Sequence, residues 1–249
     1  DLHLCDRRQR QMCIRDSDVL GQVIGQYLPK TEALREMMKK SYDILSNHPI
    51  NVERMKKGLN PANSIWFWGA GTRPALAPFV EKTGHTGAMI SAVDLLKGIA
   101  VGADMKVVEV EGANGGLDTN YEGKADAAVE ALLKDDLDFA YIHLEAPDEM
   151  GHQGSFERKV QAIENLDKRI IKRVTEQLEA AGTDFRMLVL PDHPTPVAIR
   201  THVSDPVPYM LYDSTNKQSH TWNYNEKEAQ ESGNYIDKGY TIINHLFEK

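Results

Sequence analysis

The chain has 249 residues, 41% hydrophobic and 27% charged, with a formal net charge of −8. It is long enough for a sizeable core and too apolar for disorder, and its acidic balance excludes a protein that grips a phosphate backbone through a basic face. No apolar run approaches the roughly 20 residues of a membrane helix, and the polar first residues lack the apolar stretch of a secretory signal, so neither nucleic acid nor membrane is an expected partner.

Residues 1–17, DLHLCDRRQRQMCIRDS, hold both cysteines, Cys5 and Cys13, and follow neither a helical nor a strand period. The ending MCIRDS resembles the translation of a transposon-end sequencing adapter, so this segment is set aside from fold reasoning. The expectation is a cysteine-free protein from residue 18 onward, suited to a reducing cytoplasm, with its own N-terminal portion lying upstream.

Over residues 31–47, Leu34, Met37, Met38, Tyr42 and Leu45 recur at helical spacing, with Thr31 as N-cap and His48-Pro49 as a stop. NPANSIWFWGAGTRPAL then reads as a short aromatic strand running into Gly69, Gly71 and Pro74. This turn lacks the Lys-Ser/Thr of a P-loop and the spacing of a dinucleotide fingerprint, so a plain turn is the reading. Trp66 and Trp68, alternating on that strand, are assigned to packing. From residue 84 the spacing predicts helices over 91–99, 123–134, 155–181 and 235–248, and strands over 106–110, 138–144, 186–190 and 207–212. Such alternation implies an α/β fold with a mostly parallel sheet flanked by helices. Residues 18–83 differ in pattern and are read as the end of another domain plus a linker, before a main domain at 84–249. The polar stretch 213–234 is read as a surface excursion.

Ligands of open parallel sheets collect beyond the carboxyl ends of the strands. Glu145, Asp148 and His152 follow the strand over 138–144, Asp192 and His193 follow that over 186–190, and His202 shortly precedes the last. Each piece alone reads as solvated charge or a turn; together they form a carboxylate and imidazole set suited to borderline divalent ions such as Mn²⁺ or Zn²⁺. Five of them, Asp148, His152, Asp192, His193 and His202, are the candidate ligands, more than one ion with an open position needs, which points to two metals. The isolated His48, His85, His143, His220 and His245 are read as core or surface histidines.

The strings HPINVERMKKGLNPANSIWFWGAG, AVDLLKGI, GLDTNYEGK, LEAPDEMGHQG and LPDHPTPVAIRTHVSDPVPYML, in this order, resemble the archaeal-type cofactor-independent phosphoglycerate mutases of the alkaline phosphatase superfamily, from about residue 25 to the end. The resemblance implies an alkaline-phosphatase-like sheet preceded by the end of an inserted substrate-binding domain. It implies two divalent ions (Mn, Zn or Mg) and interconversion of 3-phosphoglycerate and 2-phosphoglycerate through a phosphoserine. One ion would take Asp148, His152 and His202. The other would take Asp192 and His193, plus an Asp and the nucleophilic Ser from the family's N-terminal portion. Lys97 would sit near the transferring phosphoryl group, and Arg73 would meet the substrate's carboxylate or phosphate.

Neither the Asp-Gly metal motif nor the serine loop of that family is present. Ser17 and Asp18 lie at the adapter junction, and Ser91, Ser155 and Ser204 lie in other segments. The expectation is a fragment that is inert alone and holds at most one ion tightly. Two other readings stay open: a related metal-dependent phosphohydrolase or phosphotransferase acting on another small phosphoester, and a non-catalytic metal-binding domain.

Overall fold

Chain packing divides at Pro74, giving units Asp1–Pro74 and Ala75–Lys249. The computed structural model describes Val19 and residues 21–67, 74–217 and 222–248.

In the first unit, α1 (Glu32–Ser46) matches the helical period and buries Met38. Thr31 occupies the N-cap position without a capping bond from its hydroxyl. His48-Pro49 does more than stop α1: His48 Nδ1 accepts from the Ile50 amide and begins α2 (Pro49–Lys56), with proline in the first turn where its missing N–H costs nothing. The buried Asn51 ties the segment that follows, its amide donating to the Leu45 and Ala62 carbonyls while its oxygen accepts from the Ala62 amide. Among the described residues the expected aromatic strand is not formed, since residues 59–67 run without regular structure, held partly by the bond from the Ile65 amide to Ser41 Oγ. Trp68, Gly69, Gly71 and Arg73 lie outside the described residues, as does His220.

The second unit opens with the short helix α3 (Phe79–Thr83) and is built on three parallel strands, β1 (Gly87–Ile90), β2 (Lys106–Val108) and β3 (Phe139–Ile142). Their order is β2-β1-β3, with Ala88 opposite both Lys106 and Ala140. The central strand, GAMI, escapes sequence reading because it is short and begins with two small residues. Packing demands them: a Cβ at Gly87 would lie 2.9 Å from Met105 Cε and 3.1 Å from the Phe79 ring. Phe79 also stacks on Phe139, with centroids 5.3 Å apart, so α3, which precedes the 83/84 boundary read from the sequence, packs with this sheet.

Between β1 and β2 runs α4 (Asp94–Gly102), starting three residues after the expected point; between β2 and β3 runs α5 (Tyr121–Leu133). Helix α5 is apolar on two faces. Ala128 and Ala131 pack on Ala88 and Ile90 of the sheet, while Tyr121, Ala125 and Val129 pack on the far side against Ile170, Val174 and Leu178. The alanines let helix and sheet backbones approach closely. Its start is set by Asn120, whose side chain accepts from the Gly123 amide and donates to the Glu111 carbonyl. The long helix expected over 155–181 is α7 (Phe156–Leu166), a π turn (Asp167–Ile171) and α8 (Lys172–Ala180). The extra residue of a π turn rotates the apolar stripe, so Ala162 serves a different cluster from Val174 and Leu178.

The remaining strands, β4 (Arg186–Val189) and β5 (Met210–Asp213), form a separate antiparallel ladder. The mostly parallel expectation therefore holds for β1 to β3 and not for this pair. The polar stretch includes α9 (Glu226–Glu231), capped by Asn225. The terminal helix expected over 235–248 is only a 3₁₀ turn at Gly239–Thr241 and α10 (Asn244–Phe247). Gly239 and the β-branched Thr241, Ile242 and Ile243 disfavour a continuous helix, and the segment is held instead by Phe247, stacked on His85 at 4.2 Å.

Asn120→Ala removes the α5 cap and the bond to Glu111, so a urea melt should show a loss of about 1 to 2 kcal/mol. Arg173 and Gln177 bond Asp126, and Arg169 bonds Glu122, holding both carboxyls below their usual range. Because folding lowers these pKa values, their stabilisation is complete above the unfolded value near about 4 and is lost as pH falls through the folded value. Both pairs are substantially exposed, so Asp126→Asn should flatten the acid-side decline measured between about pH 5 and about pH 2 by less than about 1 kcal/mol.

Candidate metal centre

The strand order places the chain's change of direction between β1 and β3, since β2 lies on one side of β1 and β3 on the other. A crevice forms at the carboxyl ends of such a pair. Here the chain leaves β1 at Ser91 and β3 at His143, whose amide extends the pairing by one bond to the Ile90 carbonyl.

Asp148 and His152, expected in a loop, stand on the helix α6 (Ala146–His152). Four-residue spacing on a helix puts both on one face, and His152 Nε2 lies 3.3 Å from Asp148 Oδ2. His202 reaches the same point from the β4–β5 connection. That loop is drawn closed by the bond from the Val203 amide to the Pro194 carbonyl. His202 Nε2 sits 3.3 Å from Asp148 Oδ1 and 3.1 Å from His152 Nε2. One ligand atom from each of Asp148, His152 and His202 falls within 4.8 Å of the others, all partly solvent-accessible. A carboxylate and two imidazoles facing one point are a donor set that fits a borderline divalent ion.

Asp192 and His193 form the adjacent pair, with His193 Nε2 3.4 Å from Asp192 Oδ2. The His193 ring lies against that of His202, centroids 3.6 Å apart, so the two sets are neighbours. Burial raises the Tyr141 phenol on β3, and the charge of Asp192 adds to the effect. Lys97 is engaged elsewhere, in an ion pair with Glu109 at 2.7 Å. Arg73 lies outside the described residues.

Several residues around this centre carried no sequence signal of their own. Thr195 is buried, donates its hydroxyl to Asp148, and accepts at its carbonyl from Lys159 Nζ at 2.6 Å. Burial lowers the Lys159 pKa, with the charges of Asp148 and Glu226 opposing it. Gly151 admits this arrangement because a Cβ there would lie 2.4 Å from the Thr195 carbonyl oxygen. Beneath lies a second polar group. Lys124 is fully buried and donates to the His143 carbonyl at 3.0 Å; its pKa is lowered by burial, with Glu145 opposing. His143 Nδ1 is 3.4 Å from Ser91 Oγ and 3.7 Å from Glu145 Oε1. Lys124, Glu145 and Thr195 sit inside GLDTNYEGK, LEAPDE and DHPT, where only spacing to a partner distant in sequence could reveal them.

Among known proteins, the 2,3-bisphosphoglycerate-independent phosphoglycerate mutase of Methanosarcina barkeri is 47% identical over 224 residues, 89% of this chain and 56% of that protein. The probable enzyme of the same name from Geobacter sulfurreducens is 44% identical, covering 93% of this chain and 58% of its own length. The chain thus spans a little over half of these curated relatives. Among solved structures, the PH0037 protein of Pyrococcus horikoshii matches with TM-score 0.67 at 33% identity, over 80% of this chain and 51% of that one. The cofactor-independent phosphoglycerate mutase of Thermoplasma acidophilum matches with TM-score 0.50 at 25% identity, over 87% and 50%. A family model described as Metalloenzyme superfamily matches residues 26–248, which takes in the parallel sheet, α6 and every member of the carboxylate and imidazole cluster; the chain belongs to the Metalloenzyme superfamily.

Proposed function

We propose that this chain supplies a metal-binding part of a phosphoglycerate mutase that interconverts 3-phosphoglycerate and 2-phosphoglycerate through a phosphoserine. The observation that carries the reading is the convergence of Asp148, His152 and His202 beside Asp192 and His193, in a chain 47% identical to a protein named for that activity. Asp148, His152 and His202 hold one divalent ion, Mn²⁺, Zn²⁺ or Mg²⁺; Asp192 and His193 contribute to a second. Bound there, the ions supply charge stabilisation for a serine alkoxide and for the phosphoryl oxygens.

The protein's own groups position and neutralise. Thr195 and Lys159 keep Asp148 oriented, and the Arg200 carbonyl orients His152. Lys97 meets the phosphoryl group only after leaving Glu109, a pair held by two contacts of 2.9 and 2.7 Å. Arg73 takes the substrate carboxylate or phosphate, and the segment up to Pro74 belongs to a domain that clamps the substrate. Among the described residues no helix is long and apolar enough to cross a membrane. Residues 18–249 carry no cysteine, which suits a cytoplasmic location.

Calorimetric titration of the chain with Mn²⁺ or Zn²⁺ should show about one tightly held ion, weakened by more than roughly tenfold in Asp148→Asn, beyond the mildest loss of an outer partner. Two tight ions, or an unaffected variant, would overturn the ligand assignment. A protein with the full length of the relatives should form 2-phosphoglycerate from 3-phosphoglycerate; hydrolysis of generic phosphoesters without that product would defeat the mutase reading.

A further inference from the structure

A threonine hydroxyl carries one proton, and Thr195 spends it on a carboxylate. Its Oγ1 donates to Asp148, whose ionised oxygens only accept. The remaining contact of that oxygen, 3.3 Å to His193 Nδ1, is a hydrogen bond only if the imidazole supplies the proton. The proton of a neutral His193 is then on Nδ1 and the lone pair on Nε2, the atom 3.4 Å from Asp192 Oδ2. A lone pair facing a carboxylate is unfavourable until a cation lies between them. His152 obeys the same rule. Its Nδ1 is 2.9 Å from the Arg200 carbonyl, which can only accept, so its lone pair is on Nε2, facing Asp148 Oδ2.

Both orienting groups are held firmly. Thr195 is 3% exposed, pinned by Lys159 from α7 and packed on Gly151. Arg200 adopts a left-handed backbone, φ 61°, and its guanidinium crosses Gly154, where a Cβ would lie 2.3 Å from Arg200 Nε. A non-glycine residue in that region stores strain that its surroundings must hold.

We propose that Thr195 is a positioning residue that joins the two ligand sets, holding Asp148 while committing His193 to the Nδ1–H tautomer, so that His193 Nε2 is left free for a cation. The inference rests on the metal-binding reading above, with the Arg200 carbonyl doing for His152 what the Thr195 hydroxyl does for His193. Outer partners of this kind set ligand tautomer and orientation in metal sites generally.

The test is long-range proton–nitrogen NMR of the imidazoles in the metal-free full chain at about pH 8, above the ordinary imidazole range, combined with Zn²⁺ titration calorimetry. In the unsubstituted chain His152 and His193 should both be Nδ1–H tautomers. Thr195→Val should move His193 to the Nε2–H tautomer, with Asp192 accepting, while His152 stays Nδ1–H and so reports a folded site. Zn²⁺ affinity should fall roughly 10- to 100-fold, and Thr195→Ser should restore both readouts. An Nε2–H tautomer of His193 in the unsubstituted chain overturns the proposal. So does a Thr195→Val variant that matches it, or a Thr195→Ser variant that fails like Thr195→Val. Absence of Zn²⁺ binding by the unsubstituted chain counts separately against the metal reading, because the tautomers are read without metal.

Discussion

Burial of β1 on both faces is the constraint on which the second unit depends. All four of its residues are buried, parallel pairing holds both its edges, and a side chain at Gly87 would press on Met105 and the Phe79 ring. Ala88, Ile90, Ala128 and Ala131, each 0 to 1% exposed, bring α5 down onto the sheet. Enlarging any of them would push side chains off their rotamers or lift the helix. Because β1 and β3 run the same way, their carboxyl ends open on one edge, from which α6 carries Asp148 and His152.

That edge is not built for stability alone. Lys124 leaves water completely, with its ammonium on the His143 carbonyl and the charge of Glu145 nearby. A buried cation of this sort is weak evidence for stabilisation, since desolvation offsets much of its attraction to the nearby carboxylate. Glu145 Oε1 is itself buried without a hydrogen-bond partner. The bond from Lys124 to the His143 carbonyl does, however, fasten α5 to the end of β3, from which α6 carries Asp148 and His152. A Cβ at Gly115 would lie 2.5 Å from Glu145 Oε2, so any larger residue there would displace the Glu145 carboxylate.

The sequence is legible where the pattern is local. The helices at 32–46 and 156–180 follow a 3.6-residue period strongly enough to be read within a few residues, and the helix at 121–133, apolar on two faces, is read from its run of helix-forming residues. The misses share a cause, because each depends on partners distant in sequence. The strand GAMI has little β propensity and exists because β2 and β3 pair with it. The aromatic run around Trp66 has strand composition but forms no strand over the described residues. The last helix breaks where its anchoring is aromatic contact through Phe247 rather than an amphipathic stripe.

By itself the sequence determined the chemical identity of the donors and their place just past strand ends, because Asp-x-x-x-His and Asp-His after apolar runs are patterns a few residues long. Grouping His202 with Asp148 and His152 came from resemblance, since no spacing rule links residues 148 and 202. Only the tertiary structure decided that Asp148 and His152 share a helix face rather than a loop, and that Thr195 stands between Asp148 and His193. It also decided which ring nitrogen each orienting group engages. The physical reason is that hydrogen-bond direction and ligand convergence depend on strand order and on a loop closed by a bond between Pro194 and Val203, and neither is encoded in any short window of the chain.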